Sequence, residues 1–277
     1  MFKSILVPTD GSEHSRVALK YAINVAQAYQ SRIVLLSVVD IRRIDGPFLA
    51  EMAGAGSPAL GVEVAAVADW LKKQGRRYVD SLKPECDAAG LSCDTRLTTG
   101  VVTQEIIDQA KTCDMVVMGR HGEHYRFRGP LPGSTIEAVV RGTIRPVLVT
   151  PEAYEPFSRV LVAYDGSQYS SDALTVAADL AKGLQIPLVL LAIDRDPTVV
   201  RERMDAARAR VESYRLDVTE VVDLGDPTQE ILGTCRHEHC NLIAMGAYGH
   251  SQLREMIIGS TTTRVMRKAT CPVLLFR

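Results

Sequence analysis

The chain has 277 residues, of which 46% are hydrophobic and 23% are charged, and these fractions are ordinary for a soluble globular protein. Its 33 acidic and 32 basic residues nearly cancel, which argues against a general binder of nucleic acid or of membrane surfaces. No stretch approaches the roughly 20 apolar residues that a membrane span requires. The apolar run at the N-terminus is too short for a signal peptide, and the six cysteines include no C-x-x-C pair, so we expect a cytoplasmic protein.

The first predicted strand, its following turn and the next helix return in the second half of the chain. Residues 5–12 read ILVPTDGS, and residues 160–167 read VLVAYDGS. Later matches lie 125 to 127 residues apart and include TQEI at 103–106 and 228–231, GST at 133–135 and 259–261, and PVL at 146–148 and 272–274. Matches in one order at so many places indicate two copies of one domain. We predict domains at 1–150 and 158–277, joined by a short connector that contains two prolines.

An insertion distinguishes the first copy from the second. The offset between matching residues falls from 155 to 125, so the first copy carries about 30 extra residues between its second and third strands, and we place the insertion at about 41–65. Residues 45–61 are rich in glycine, alanine and proline, and we interpret them as a mobile loop. Residues 62–90 carry apolar side chains at helical spacing and predict a longer helix, with a bend near Pro84.

Both copies alternate short β-branched runs with helical patterns. In the second copy the strands fall near 159–164, 187–193, 217–222, 241–246 and 272–276, and the helices near 168–183, 198–213, 227–238 and 260–270. Runs such as residues 189–193 are apolar on both faces, as in a parallel sheet that helices cover on both sides. We therefore predict a doubly wound α/β sheet in each domain, with the ligand at the carboxyl ends of the strands.

Two loops of the second copy follow strands at that edge. Asp165 comes directly after the first strand, where its carboxylate can accept hydrogen bonds from ribose hydroxyls or an amino group. Equally, Asp165 and Ser167 can simply shape the turn and cap the next helix. After the fourth strand the chain has the pattern G-x2-G-x9-G-S, which ends at Ser260. Glycines let the backbone approach a phosphate, and a helix N-terminus adds aligned N–H donors, although these glycines can also serve only to turn the chain.

This glycine pattern resembles the ATP-binding signature of the universal stress protein family. The D-G-S turn and the C-P-V-L-L of residues 271–275 resemble the same family, and the resemblance covers both copies. It implies two tandem doubly wound sheets of the adenine nucleotide alpha hydrolase-like fold, each with five parallel strands in the order 3-2-1-4-5. It also implies that the tandem chain imitates a dimer of single-domain members; whether the chain pairs again as a homodimer is left open.

The resemblance also implies a nucleotide site in the second copy. Asp165 and the backbone after the second strand would contact adenosine, while the glycines and Ser260 would hold phosphates. The expected binding residues are Asp165, Ala192, Ile193, Met245, Gly246, Gly249, His250, Gly259, Ser260 and Thr261. The same loop can hold ATP, ADP or AMP, and we expect Mg²⁺ to accompany the triphosphate.

The first copy departs from the pattern. Ten residues instead of nine separate its second and third glycines, and Pro130 and Pro132 stiffen the loop between them. The loop nevertheless contains Arg126 and Arg128, whose charge suits a phosphate. We favour retained nucleotide binding over a purely structural loop. The residues concerned are Asp10, Gly119, Arg120, Gly122, Gly133, Ser134 and Thr135, with His121 adding positive charge.

Other chemistries find little support in the sequence. Cys235, His237, His239 and Cys240 are crowded, but their spacing is not that of a zinc site, and we expect no metal ligands among them. No G-x4-G-K-[ST] P-loop occurs, and no nucleophile has a partner base at motif spacing, so we expect no catalytic residues and at most slow ATP hydrolysis. The first hypothesis is a nucleotide-binding regulatory protein of the stress response. The alternatives are a protein-interaction module that recruits a protein partner through the surface of the first copy or its insertion, with a degenerate or structural nucleotide site, and a slow ATPase.

Overall fold

Strands and helices alternate along the chain as the sequence predicts. The computed structural model describes residues 2–43, 59–122, 134–248 and 258–277. The first domain contains β1 (Ser4–Pro8), α1 (Glu13–Tyr29), β2 (Arg32–Asp40), α2 (Ala59–Ala88), β3 (Cys93–Gly100), α3 (Val102–Ala110), β4 (Met115–Gly119), α4 (Ser134–Gly142) and β5 (Val147–Thr150). The second contains β6 (Val160–Tyr164), α5 (Gln168–Leu184), β7 (Leu188–Ile193), α6 (Pro197–Val211), β8 (Val218–Asp223), α7 (Pro227–His237), β9 (Leu242–Gly246), α8 (Ser260–Lys268) and β10 (Val273–Phe276).

The ten strands form one sheet in the order β3-β2-β1-β4-β5-β10-β9-β6-β7-β8. Within each domain all neighbouring strands are parallel and follow the predicted order 3-2-1-4-5, which is confirmed. Where the domains meet, β5 and β10 pair in antiparallel orientation, with Leu148 opposite Leu274. The two predicted five-stranded sheets are therefore halves of a single sheet.

Helices cover both faces of this sheet, and each face carries one continuous hydrophobic core. Because β7 lies between helices on both sides, all six of its residues are buried, as expected for an interior parallel strand. On one face the core joins Leu19 of α1 to Leu174 of α5, and on the other it joins Val149 of β5 to Val273 of β10. Each fully buried aliphatic side chain contributes about 1.5–3 kcal/mol, so the shared cores hold the two domains together.

The turns after β1 and β6 have the same construction. Ser12 caps α1 by accepting a hydrogen bond from the Ser15 N–H, and Ser167 caps α5 in the same way. The preceding glycines, Gly11 and Gly166, have φ angles of +79° and +82°, a left-handed conformation that favours glycine. The D-G-S motif therefore sets the entry into the first helix of each domain.

Aromatic side chains of α1 fix the contact between the domains. The Tyr29 hydroxyl donates to the Asp179 carbonyl across a distance of 2.6 Å. Tyr21 packs against Tyr154 and Phe157 of the connector, with ring centroids 4.8 and 5.3 Å away, and its hydroxyl oxygen accepts the N–H of Glu155. Burial raises the pKa of Tyr21 to about 12. The connector is thus packed against the first domain rather than free of it.

Helix α2 is the described part of the insertion. It has 30 residues, against 15 in α6, its counterpart in the second domain. The helix begins at Ala59, so the prediction of a loop through residue 61 was wrong at its end; residues 45–58 of that loop lie outside the described residues. Pro84 lies inside the helix. No helix among the described residues has the length and apolar character needed to cross a membrane.

Candidate functional site

A cleft opens in the second domain at the carboxyl ends of β6, β7 and β9, the edge at which the sequence predicts the ligand. Its volume is about 260 Å³, slightly below the ~300–1,000 Å³ typical of small-molecule sites. The lining residues are Ala163, Tyr164, Asp165, Ser170, Leu191, Ile193, Pro227, Ile231, Met245, Gly246, Tyr248, Gly259, Ser260, Thr261 and Thr262. Seven of the ten residues that we expect to bind the nucleotide are among them. Gly249 and His250 lie outside the described residues.

Ala192, the remaining expected residue, does not line the cleft. Both Ala192 and Ile193 lie within β7, rather than after it. Side chains alternate along a strand, so Leu191 and Ile193 face the cleft while Ala192 packs in the core on the opposite face. Ile193 therefore lines the cleft and the Ala192 side chain does not, while contact of a nucleoside with the backbone here stays a prediction.

Asp165 marks one end of the cleft. Its Oδ1 atom accepts a hydrogen bond from the Ser167 N–H at 3.0 Å, and Ser167 in turn caps α5. The turn-shaping role that the sequence allows is therefore present. The same carboxylate also lines the cleft, so one residue can serve the turn and face a ligand.

The N-terminus of α8 marks the other end. Its N-cap residue is Gly259, with φ −54° and ψ 141°, and a glycine has no side chain that could accept a hydrogen bond from the first turn. At the starts of α5, α6 and α7, by contrast, a side chain accepts a hydrogen bond from a backbone N–H of the first turn. The accepting residues are Ser167, Asp196 and Asp226. The first N–H groups of a helix have no partner within the helix, and the helix dipole places partial positive charge beside them. This end of the cleft is therefore suited to an anion.

Two glycines of the signature differ in the space that surrounds them. A Cβ on Gly246 would lie 3.0 Å from the Ser170 nitrogen and from Tyr169, so β9 and the start of α5 are too close for a side chain. A Cβ on Gly259 would meet the Thr262 hydroxyl at 3.4 Å and the Ala247 carbonyl at 3.5 Å, which are ordinary contacts. Gly246 is thus required by packing within the protein, whereas the described surroundings of Gly259 leave room for a Cβ.

The walls between these two ends are apolar. Leu191, Ile193, Ile231 and Met245 supply them, and no lysine, arginine or histidine is among the described lining residues. Thr262 is buried and donates its hydroxyl to the Gly246 carbonyl, which ties the start of α8 to the end of β9. The arrangement suits a molecule with a flat apolar part, hydrogen-bond donors near a carboxylate and an anionic group at the helix end.

The corresponding edge of the first domain is built differently. The Tyr78 ring of α2 packs against Gly11, and Gly122 lies so close to Asp10 that a Cβ would come within 2.7 Å of the carboxylate. His121 is buried and its ring lies 5.5 Å from that of His14. Here Tyr78 and Asp10 leave no room for a Cβ on Gly11 or Gly122.

Arg120 has a role that its sequence position does not indicate. Its Nη2 atom donates to the Ala269 carbonyl at the end of α8, across a distance of 2.7 Å. The guanidinium therefore bridges the two domains, and residues 123–133 of the loop that follows lie outside the described residues. Gly119 ends β4, and Ser134 and Thr135 begin α4. Gly133, Arg126 and Arg128 lie outside the described residues.

The crowded cysteines of the second domain are buried free thiols. The Cys235 Sγ atom lies 3.7 Å from that of Cys271 and donates to the Cys240 carbonyl. His237 is exposed, with its ring directed toward the Glu238 carboxylate. Within the described ranges, no three histidine, cysteine, aspartate or glutamate side chains are grouped to hold a metal ion.

Comparisons with known proteins agree with the repeat. The model of the universal stress protein family matches residues 1–151 and again residues 156–277. A universal stress protein of Synechocystis is 28% identical over an alignment that spans 99% of this chain and 100% of that protein. A shorter one of Methanocaldococcus jannaschii is 33% identical and is matched over 82% of its length by 54% of this chain. The crystal structure of a universal stress protein from Archaeoglobus fulgidus has the same fold, with a TM-score of 0.74 at 23% identity and coverage of 99% of this chain and 96% of that one.

Proposed function

The chain belongs to the universal stress protein family, and from that premise we propose that it is a stress-response regulatory protein whose second domain binds an adenine nucleotide, ATP or its di- or monophosphate. The observation that carries the proposal is the start of α8 at the cleft, where the N-cap residue is a glycine and supplies no capping side chain. The other helices of this domain satisfy their first N–H groups with serine or aspartate. A helix end that lacks such a cap and faces a cleft is suited to phosphate.

The two ends of the cleft orient the ligand. The phosphate groups would lie at Gly259, Ser260 and Thr261, where backbone N–H groups and hydroxyls can donate to them. The nucleoside would then extend toward Asp165 and Ile193 at the opposite end. Ribose hydroxyls or a base amino group would donate to the Asp165 carboxylate, and the apolar walls would cover the base.

Charge balance favours a metal-bound triphosphate. The described lining residues contain no lysine or arginine to neutralise a triphosphate. Mg²⁺ coordinated mainly by phosphate oxygens and water would supply that charge when ATP is bound. The protein would contribute the backbone N–H groups of α8 and the hydroxyls of Ser260 and Thr261.

A binding role fits the described lining better than rapid catalysis. Fast hydrolysis needs a positioned base or water-orienting group close to the phosphates. The described lining residues include no lysine, arginine or histidine, and those that begin α8, Ser260, Thr261 and Thr262, carry hydroxyls. We therefore propose that bound nucleotide acts as a regulatory ligand, with at most slow turnover.

Titration calorimetry tests this proposal. ATP with Mg²⁺, ADP, AMP and adenosine would be titrated separately into the full chain, and mass spectrometry would identify any small molecule that copurifies. We expect saturable binding of at least one phosphorylated adenine nucleotide, tighter than that of adenosine. A stoichiometry of one would assign binding to one domain, and a stoichiometry of two would show that the first domain binds as well. The absence of binding by all four compounds would overturn the proposal.

A second candidate function is recruitment of a protein partner through α2. Trp70 is 59% exposed on this helix. Lys72, Lys73, Arg76 and Arg77 are exposed on the following two turns, and none forms an ion pair within the described residues. An exposed tryptophan beside unpaired cations is typical of a contact surface for an acidic partner. Deletion of residues 45–58, which precede the helix, together with Trp70→Ser should reduce recovery of that partner and leave ATP affinity unchanged.

A further inference from the structure

Arg203, a residue that the sequence does not single out, connects two segments that border the cleft. It lies on α6, and its Nη1 atom donates to the Ile193 carbonyl at 2.9 Å. The same atom lies 2.7 Å from the Asp194 carboxylate, directly after β7. The side chain of Arg203 is only 19% exposed, so these bonds are partly shielded from solvent. Arg203 thus fixes the carboxyl end of β7, where Ile193 lines the cleft.

The aliphatic part of Arg203 reaches the second segment. Its Cγ and Nε atoms lie 3.5 and 3.6 Å from the position of a Cβ on Gly166. Gly166 directly follows Asp165, which lines the cleft beside Ile193, because the preceding residues Tyr164 and Ala192 pair between β6 and β7. One side chain therefore supports the turn after β6 and the end of β7 together.

The first domain has a different residue at the matching position. Tyr78 precedes Arg203 by 125 residues, the same separation as between Gly100 and Gly225. Its ring packs against Gly11, the glycine that corresponds to Gly166. Both domains thus place one side chain of the helix between their second and third strands on the glycine after the first strand. In the second domain this side chain also bonds the carbonyl at the end of the second strand.

We propose that Arg203 is the positioning residue for the nucleoside end of the cleft. The proposal rests on nucleotide binding by the second domain, because the phosphate end at α8 leaves the nucleoside at Asp165 and Ile193. Arg203 acts through these two segments and donates its own hydrogen bonds to Ile193 and Asp194. It holds these two segments at the separation that a bound nucleoside requires, so that less conformational entropy is lost when the nucleoside binds.

Ligand truncation distinguishes positioning from a general effect of charge. Arg203→Met should weaken the binding of adenosine, AMP and ATP by the same factor, about tenfold, because all three share the nucleoside. Arg203→Lys, which can reach one of the two acceptors, should recover part of the loss. A long-range charge effect would instead weaken ATP most and adenosine least, and would shrink at high salt.

Arg208→Met is the matched control. Arg208 lies on the same helix and carries the same charge, but its partners are Glu220 and Asp205, away from the cleft. This variant should bind all three ligands as the unaltered protein does. Near-ultraviolet circular dichroism would confirm native packing, and Asp194→Asn would provide a milder loss of the same support.

These experiments can overturn nucleotide binding and the role of Arg203 separately. Failure of the unaltered chain to bind any of the three ligands would overturn both nucleotide binding and the role of Arg203. Binding by the unaltered chain together with unchanged affinity in Arg203→Met would overturn the role of Arg203 alone. Selective loss of ATP, or an equal loss in Arg208→Met, would likewise refute positioning.

Discussion

Replacing Gly259 with aspartate should separate the stability of the second domain from its affinity for phosphate. The backbone angles at Gly259 suit an N-cap residue, and a Cβ there makes only ordinary contacts. The new carboxylate would accept the first N–H groups of α8 and interact favourably with the helix dipole. It would also place a negative charge where we propose that phosphate binds.

The two effects have opposite signs and different sizes. Capping by aspartate in place of glycine gains a few tenths of a kcal/mol, and the dipole interaction adds about 0.3–1 kcal/mol. At about 2–4 °C per kcal/mol, the melting temperature without ligand should rise by roughly 1–5 °C. Two like charges about 4 Å apart repel by about 4 kcal/mol at the effective dielectric constant of a protein surface. ATP affinity should therefore fall by roughly 1,000-fold.

Thermal unfolding without ligand and calorimetry with ATP and adenosine measure both effects. Adenosine, which lacks phosphate, should keep its affinity within about twofold, since 0.4 kcal/mol corresponds to a factor of two. Gly259→Asn, which has the same shape without the charge, should lose much less ATP affinity than Gly259→Asp. A variant with a raised melting temperature and unaltered ATP affinity would show that phosphate does not bind at the start of α8.

Three further predictions concern packing and the domain junction. Gly246→Ala should destabilise the protein by about 1–3 kcal/mol, because the new Cβ would meet the backbone of α5 at 3.0 Å. Urea unfolding would measure this loss, and an unchanged midpoint of unfolding would contradict the close packing. Arg120→Met should lose about 1–2 kcal/mol of stability in the same assay and leave ATP affinity unchanged, whereas weakened ATP binding would place Arg120 in a nucleotide site. The pKa of Tyr21 is raised above its unfolded value of about 10 to about 12, so its stabilising contribution is complete below pH 10 and is lost as the pH rises through 12. In Tyr21→Phe the free energy of unfolding should therefore fall less steeply between pH 10 and pH 12. Unfolding experiments at several alkaline pH values would measure this slope, and an unchanged slope would show that Tyr21 does not cause the loss.

Local features of the fold were predictable from the sequence because local interactions determine them. The D-G-S turns combine a glycine of positive φ with a serine cap, and both are set by neighbouring residues. Runs that are apolar on both faces identified the buried strands, such as β7. The strand order came from the family resemblance. The β5–β10 pairing joins segments far apart in the chain, and no periodicity within either strand predicts it.

The sequence predicted the part of the site that adjacent residues form at a helix start. It did not predict contacts between side chains and backbone groups of different elements. Gly259 and Ser260 stand next to each other in the sequence and lie together at the start of α8. Arg203 and Ile193 are ten residues apart on different elements, and only the packing of α6 brings the guanidinium to that carbonyl. Strand alternation, applied to residues 191–193, would have selected Leu191 and omitted the Ala192 side chain. The cytoplasmic location and a further homodimer stay predictions.

The antiparallel seam between β5 and β10 has a geometric consequence for signalling. All strands of the first domain run parallel to β5 and all strands of the second run parallel to β10, so the two sets point in opposite directions. The carboxyl ends of the strands in the two domains consequently lie at opposite edges of the sheet. Molecules held at the two edges cannot touch or exchange a group with each other. Any communication between them must pass mechanically through the seam and the shared cores.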